Sequence, residues 1–301
     1  MELKYGIQLQ PEALHQKEID LFIFAGNHEG RVYTAYEYFE SHSTIHKSIM
    51  LCYNEGYVAD LHNRIELRVV SDQAEIFNIL DSFFSNSSKP DPILFIDYSC
   101  MTKPWYYAII LYLSNRVIAN LKVTCYFSYT PSLFSDPQEP KHNTEISPLP
   151  GKYIIPTDKP KALIVCLGYE QKKAEGIIDH LDPKLSYIYY TNPALDQQFV
   201  TVLEANNKYI LSTSNNVTKY RFDDLLFLER ELTGLYFALK DDYSIIIAPL
   251  GPKPFTFVSM LLSVKYPDID IWRVGSGSDI NEYTREPFAT DCFILSETRW
   301  N

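Results

Sequence analysis

Two lysines, each followed by proline, have the setting of anion-binding residues. Lys103-Pro104 and Lys253-Pro254 each follow an apolar run and a short turn, and an amphipathic stretch begins after each pair. Proline fits the first turn of a helix because its missing N–H would be unpaired there, and the remaining free N–H groups attract anions. A lysine at this point adds a positive charge beside the helix dipole. We therefore predict that Lys103 and Lys253 bind phosphate or carboxylate groups; the alternative is that both are solvated.

The turn before Lys103 carries a carboxylate that the turn before Lys253 lacks. Asp97 ends the first apolar run, and Ser99 and Thr102 follow it. A carboxylate at the carboxyl end of a strand can hydrogen-bond a ribose, hold a metal or act as a general base. Its structural alternative is to cap the following helix or to fix the turn. The second turn has Ile247 in the place of Asp97, and its Gly251 either allows close backbone approach to a ligand or makes a tight turn.

A third candidate is the loop of residues 26–31, GNHEGR, which lies between a predicted strand and a predicted helix. His28 with Glu29 can perform acid/base chemistry, and Arg31 can bind an anion through two parallel hydrogen bonds. A solvated turn is the alternative. The loop lacks the GxGxxG glycines of a dinucleotide-binding fingerprint, and the chain has no Walker A motif.

The chain repeats one pattern of strand, turn and helix. Residues 93–113 and 243–263 align without gaps at an offset of 150, which superposes the two Lys-Pro pairs. Earlier in each half, LFIFAGN aligns with LIVCLGY at an offset of 142, which superposes Gly26 on Gly168. Ligands of open α/β sheets bind outside the carboxyl ends of strands. We therefore add Gly26 and Gly168 to the predicted ligand-binding residues.

Alternating strand and helix patterns predict an α/β fold of two Rossmann-like lobes with mostly parallel sheets and an internal duplication. The expected domains are an N-terminal lobe over residues 1–129, a Pro-rich segment over 130–160 and a C-terminal lobe over 161–301. The Pro-rich segment is either a linker or a long ordered crossover packed on the first half. Residues 292–297, CFILSE, are a candidate edge strand. The predicted strands are 20–25, 47–53, 65–70, 93–98, 121–128, 161–167, 185–191, 243–249 and 269–274, and the predicted helices are 30–41, 73–85, 104–115, 171–181, 196–206, 224–240 and 254–265.

Composition restricts the partners and the compartment. The chain of 301 residues has a net charge of −11, and its lysines and arginines are scattered, so duplex nucleic acid is an unlikely partner. No apolar stretch is long enough to span a bilayer, and no apolar signal core begins the sequence. Five cysteines without a CxxC pair are typical of structural thiols in a reducing cytoplasm. No spacing predicts a metal site, and the sequence leaves any cofactor open.

Three short motifs resemble a loosely defined set of uncharacterised bacterial Rossmann-like proteins of mobile and defence loci. The resemblance spans most of the chain and implies a role in prokaryotic conflict without implying a reaction. The expected function is a cytoplasmic sensor or accessory subunit that binds a nucleotide or another phosphorylated small molecule and assembles with a protein partner or with itself. The alternative is a hydrolase or transferase with Asp97 or Glu29 as its base. The motifs are ExR (Glu29, Arg31), DxSxxTK (Asp97, Ser99, Thr102, Lys103) and LGxKP (Leu250, Gly251, Lys253, Pro254).

Overall fold

The computed structural model of the chain describes residues 1–54, 64–115, 121–137, 139, 141–275, 277 and 284–301. Among these residues no helix combines the length and apolar character needed to cross a membrane. In chain order the elements are β1 (Leu3–Leu9), β2 (Glu18–Ile19), β3 (Leu21–Gly26), α1 (Thr34–His42), β4 (Thr44–Ile45), β5 (Ser48–Cys52), β6 (Ile65–Val69), α2 (Gln73–Asn86), β7 (Ile93–Asp97), α3 (Lys103–Asn115), β8 (Val123–Tyr129), β9 (Glu145–Pro148), β10 (Lys161–Cys166), α4 (Lys173–Leu181), β11 (Leu185–Thr191), α5 (Gln197–Asn206), α6 (Lys208–Thr213), β12 (Val217–Tyr220), α7 (Leu225–Leu239), β13 (Ser244–Pro249), α8 (Lys253–Lys265), β14 (Asp270–Gly275) and β15 (Ile294–Trp300).

The chain divides into two compact units, and the first comprises Met1–Leu133 and Ile280–Asn301. Its main sheet has the strand order β1-β15-β8-β7-β3-β5-β6. The strands from β8 to β6 are parallel, whereas β15 and β1 pair antiparallel at one edge. The central strands β3 and β5 are buried along their whole length, as their uninterrupted apolar sequences predict for a sheet covered on both faces.

The second unit comprises Phe134–Asp279, and its sheet has the order β12-β11-β10-β13-β14-β9. Five of these strands are parallel, and β9 pairs antiparallel with β14 at the edge. The core of this unit packs β10, β11 and β13 against α4, α5 and α6 through Leu163, Val165, Ile177, Leu203 and Ala248.

The parallel strands of the two units share one order. Numbered within each unit, they run 3-2-1-4-5, which is the Rossmann order 3-2-1-4-5-6 without its sixth strand. The prediction of an α/β fold with mostly parallel sheets in two lobes is therefore confirmed. The common order is also what an internal duplication would produce, because related halves keep the path of the chain.

The predicted domain boundaries differ from the compact units at both ends of the second lobe. β15, expected as an edge strand of the C-terminal lobe, lies between β1 and β8 in the sheet of the first unit. Six of its seven residues are buried in this position, although four of the seven are polar (Ser296, Glu297, Thr298 and Arg299). The C-terminal strand thus completes the first unit.

The Pro-rich segment of residues 130–160 is neither a simple linker nor a crossover packed on the first half. β9, in the middle of residues 130–160, pairs with β14, so this part of the segment extends the sheet of the second unit. The boundary between the units falls between Leu133 and Phe134. Residues 138 and 140 of the segment lie outside the described residues.

Candidate anion-binding site

The candidate site of the first unit lies at the carboxyl ends of β3 and β7. These strands are neighbours, and the chain leaves them in opposite directions along the sheet, toward β5 from β3 and toward β8 from β7. Such a switch point is where open α/β sheets bind their ligands. The loop of residues 26–31 and the turn of residues 98–102 follow the two strands, so the fold brings together the candidates that the sequence separates by about seventy residues.

Arg31 is the central charged residue of this site. The side chain is fully buried, and its Nε donates to Glu29 Oε2 at 2.6 Å. Its Nη1 donates to the carbonyl oxygen of Thr130, just beyond β8, at 2.8 Å. The guanidinium carbon lies 5.4 Å from the centre of the Tyr129 ring. Three residues from two separate parts of the chain therefore hold one guanidinium.

One donor of Arg31 is not used by the protein. Within the described part of the chain, the buried Nη2 has no hydrogen-bond partner, and neither has the buried hydroxyl of Thr130. Burial on its own would lower the pKa of Arg31, but Tyr129, Cys100 and Glu29 outweigh it and raise the pKa, so the guanidinium stays charged. Buried charged donors normally have partners, because burying even a neutral polar group without a hydrogen bond costs ~2–7 kcal/mol, and burying a charged group costs more.

Glu29 is positioned by its own loop. The Asn27 amide nitrogen donates to Glu29 Oε1 at 3.1 Å, and the Glu29 backbone N–H donates to Asn27 Oδ1 at 2.9 Å. The carboxylate thus bridges an amide and the Arg31 guanidinium. His28, which the sequence pairs with Glu29 as a candidate catalytic residue, is exposed on the same loop.

Asp97 holds the turn that follows β7. Its Oδ1 accepts hydrogen bonds from the backbone N–H of Ser99, at 3.0 Å, and from the Ser99 hydroxyl. The Ser99 oxygen in turn accepts from the backbone N–H of Thr130 at 2.7 Å. Asp97 is 2% exposed, so this is a buried chain of hydrogen bonds. The geometry is that of the turn-fixing alternative, and it connects the Asp97 turn to the residue that holds Arg31.

Tyr53 is a site residue that the sequence did not indicate. From the end of β5, its hydroxyl donates to the carbonyl oxygen of Cys100 at 2.8 Å and accepts from the N–H of Thr102 at 3.0 Å. Its ring stacks on Trp105 of α3 with centroids 4.0 Å apart. Burial is the largest cause of its raised pKa, so the hydroxyl remains protonated and donates. The sequence signal that could have identified Tyr53 was its position just after β5, the second parallel strand of the main sheet.

The two lysines occupy equivalent positions, as the offset predicts. Lys103 is the first residue of α3 and Lys253 the first residue of α8, and each helix has thirteen residues. In their own units, α3 follows β7 and α8 follows β13, the fourth parallel strand in each case. The predicted helix starts are confirmed, whereas anion binding by either lysine stays a prediction.

The corresponding switch point of the second unit is closed by its own backbone. A β-carbon built on Gly168 would lie 2.6 Å from the carbonyl oxygen of Leu250. One built on Gly251 would lie 2.5 Å from Cys166 Sγ and 2.6 Å from the carbonyl oxygen of Leu167. Both glycines therefore let the loops after β10 and β13 touch. The sequence left two roles open for Gly251, close backbone approach to a ligand or a tight turn. In the structure Gly251 allows close approach, but to the backbone of the loop after β10.

Sheet register changes one detail of the internal alignment. Leu21 pairs with Leu94 in the first unit, and Lys161 pairs with Ser244 in the second. Since Leu94 and Ser244 are equivalent at the offset of 150, the first strands are related by an offset of 140 and not 142. Gly26, the last residue of β3, therefore corresponds to Cys166 and not to Gly168.

A charged pair also follows the first strand of the second unit. Lys173 Nζ lies 2.5 Å from Glu170 Oε2, and both residues line a small depression with Gly168 and Asn207. Asn207 is buried and donates to the carbonyl oxygen of Gly168 at 3.0 Å. Unlike Arg31, both charged side chains are partly exposed.

Among the described residues, no group of three or more His, Cys, Asp and Glu side chains could hold a metal ion. Compared with known proteins, the chain matches no family model and no curated sequence. The geometry of the first unit is therefore the best guide to function.

Proposed function

We propose that the first unit binds a phosphorylated, nucleotide-like small molecule at the carboxyl ends of β3 and β7, with Arg31 as the anion-binding side chain. The observation that carries this proposal is the fully buried guanidinium with an unpaired Nη2 at a Rossmann switch point. Arginine suits this role because its planar fork donates in parallel to two oxygens of a phosphate or carboxylate.

The energetics of burial support this role. A buried ion pair contributes little net stability, because desolvation of both ions offsets their attraction. Glu29 neutralises Arg31 but leaves Nη2 without an acceptor. Perturbed, incompletely paired charges cluster at functional sites, since a ligand can supply the missing interaction. A phosphoryl oxygen is an acceptor of the required charge.

The hydrogen bonds of Asp97 and Glu29 favour ligand binding without turnover. Asp97 accepts two hydrogen bonds from Ser99, and Glu29 is engaged by Arg31 and Asn27. Both carboxylates are therefore committed to holding the site, which suits a sensor. The alternative, a hydrolase or transferase with Asp97 or Glu29 as base, requires one of them to leave these partners.

The cellular part of the proposal is a cytoplasmic sensor or accessory subunit of a prokaryotic defence assembly. It rests on the three short motifs and not on the geometry. Its test is phage plating on a host that carries the intact locus, with the parent chain and with Arg31→Lys. Equal protection by both would separate the binding site from any defence role.

The binding proposal is tested with ADP, ATP and inorganic pyrophosphate, by titration calorimetry and by thermal unfolding. Arg31→Lys keeps the charge but removes the fork, and we expect it to weaken binding at least about tenfold, because a hydrogen bond to a charged group contributes about 1.5–3 kcal/mol. Lys173→Met is the matched control, since Lys173 is a partly exposed charged residue at the start of α4, the helix that follows the first parallel strand of the second unit.

The outcomes separate the alternatives. Loss of binding in Arg31→Lys but not in Lys173→Met supports the proposal, provided that both variants unfold at the parent temperature. Equal binding by Arg31→Lys and the parent would overturn the role of Arg31. Release of phosphate or of a nucleoside product by the parent would shift the function to the enzymatic alternative.

A further inference from the structure

A short segment of the first unit is fastened beside the Arg31 site. Leu133 N donates to the carbonyl oxygen of Glu286 at 3.0 Å, and Phe288 N donates to the carbonyl oxygen of Pro131 at 2.9 Å. Between these bonds, Ser132 and Pro287 form an isolated β-bridge. We call residues 286–288 the strap. It pairs with the three residues that directly follow Thr130, whose carbonyl oxygen accepts from Arg31.

The strap brings a carboxylate onto the loop after β3. A β-carbon built on Gly30 would lie 2.0 Å from Glu286 Oε2 and 2.6 Å from Oε1 and Cδ. The Glu286 carboxylate therefore fills the space that a side chain at position 30 would take. Gly30 stands between Glu29 and Arg31, the two residues of the buried ion pair.

Glu286 is held in place mainly through its backbone. Its side chain is exposed, and within the described residues its carboxylate accepts no hydrogen bond, whereas its carbonyl oxygen accepts from Leu133. A carboxylate without such bonds of its own can leave its position without losing any. The strap keeps this carboxylate close to the site at a high effective concentration.

We propose that the space above Gly30 is an anion subsite of the Arg31 site, filled in this structure by the Glu286 carboxylate and vacated when the phosphoryl group of the ligand binds. The inference rests on the proposed function and adds to it an internal competitor. Carboxylate and phosphoryl groups share negative charge and oxygen acceptors, so one can stand in for the other.

A tethered competitor lowers the apparent affinity by the fraction of molecules in which the subsite is free. If the carboxylate fills the subsite in about two thirds to nine tenths of the molecules, its removal increases affinity about 3- to 10-fold. Glu286→Gln keeps the shape of the side chain and removes its charge. We expect this variant to bind ADP and pyrophosphate about 3- to 10-fold more tightly than the parent.

The matched control is Glu12→Gln, which removes a charge from an exposed glutamate elsewhere in the same unit. It should bind as the parent does, so that a gain in Glu286→Gln reflects the subsite and not the net charge. Gly30→Ala is the second variant. Its methyl group fills the subsite and displaces only the flexible end of an exposed side chain, so it should fold normally and bind ADP more weakly than the parent.

Calorimetric titration of the full chain with ADP and with pyrophosphate decides between the outcomes. Tighter binding in Glu286→Gln together with weaker binding in Gly30→Ala supports the subsite. Parent-like affinity in Glu286→Gln or in Gly30→Ala overturns it, while loss of binding in Arg31→Lys would still leave the proposed function standing. If neither the parent nor Glu286→Gln binds either probe, the subsite and the proposed function both fall.

Discussion

Arg31 is buried because two separate parts of the chain supply acceptors and a ring around it. Glu29 comes from its own loop, whereas Thr130 and Tyr129 come from the end of β8, about a hundred residues later. These contacts fix two of the donor nitrogens and leave Nη2 unpaired. The side chain is thus held in one orientation before any ligand arrives, which reduces the ordering that binding requires.

The residue types at this site could be predicted from the sequence, but their partners could not. Glu29, Arg31, Asp97 and Ser99 stand in loops after apolar runs, where the fold class places ligands. Thr130 contributes a backbone carbonyl and Tyr53 a hydroxyl, and these contacts form only after the sheet brings β5, β7 and β8 together. Local pattern carries no information about such pairings.

Lys152 is a partly buried lysine whose ionisation should make stability depend on pH. Its Nζ donates to the carbonyl oxygens of Ser263 and Ile269, at 2.7 Å each. Burial lowers the pKa of Lys152 to about 8, although Asp270 and Asp268 act in the opposite direction. In an unfolded chain a lysine has a pKa of about 10.4. Between these values the unfolded state binds more protons, so the contribution of Lys152 to stability rises with pH.

We therefore expect the free energy of unfolding of the parent, relative to Lys152→Met, to increase between about pH 8 and pH 10.4. Urea titrations of both proteins at pH 7.5, 9 and 10 measure this difference, and subtraction removes the titration of the tyrosines common to both. A constant or decreasing difference would show that Lys152 keeps an ordinary pKa in the folded state.

At the scale of elements, the loops after the first and fourth parallel strands differ between the units. In the second unit, Gly168 and Gly251 allow backbone contact between these loops, and the switch point is closed. In the first unit, His28 corresponds to Gly168 by sheet register, and Met101 corresponds to Gly251 by the offset of 150. This difference is the reason that we propose an anion site in the first unit, although both units share one order of parallel strands.

Substitution of Gly251 tests the closed switch point. In Gly251→Ala the new methyl group would meet the Leu167 carbonyl and Cys166 Sγ, neither of which is the end of a flexible side chain. We expect a loss of about 1–3 kcal/mol in the free energy of unfolding, the usual effect of overpacking. Gly234→Ala is the control, since nothing lies within 4 Å of its β-carbon in α7. It should stabilise by about 0.5–1 kcal/mol, because alanine favours a helix interior. Equal stability of the two variants would mean that the loops separate readily.

The sixteen predicted strands and helices that alternate along the chain all have counterparts in the structure, mostly within two residues. Their strong periodicity and turn signals made them predictable. β12 was missed because VTKY is short and half polar, although it supplies the third strand of the second unit. β9 was not predicted as a strand, and β15 was expected in the C-terminal lobe, because local sequence does not reveal which sheet an added antiparallel strand joins.

At the scale of the whole molecule, the two units differ in how the chain supplies them. The second unit is continuous, Phe134–Asp279, whereas the first requires a return of the chain to provide β15. β15 pairs with β8 on one side and with β1 on the other, so without it β8 has an open edge and β1 has no partner among the described strands. We therefore expect the second unit, but not residues 1–133 of the first, to fold independently.

We expect a fragment of residues 134–279 to fold alone, with a cooperative urea transition and the circular dichroism of an α/β protein. A fragment of residues 1–133 should fail to do so, because the loss of β15 leaves the backbone N–H and C=O groups along one edge of β8 unpaired and releases β1. Joining residues 284–301 to the fragment of residues 1–133 through a flexible linker should restore its cooperative transition. Such a recovery would show that the fragment fails to fold because β15 is missing and not because the chain is truncated. Cooperative unfolding of residues 1–133 without that addition would contradict the assignment of β15 as an integral strand of the first unit.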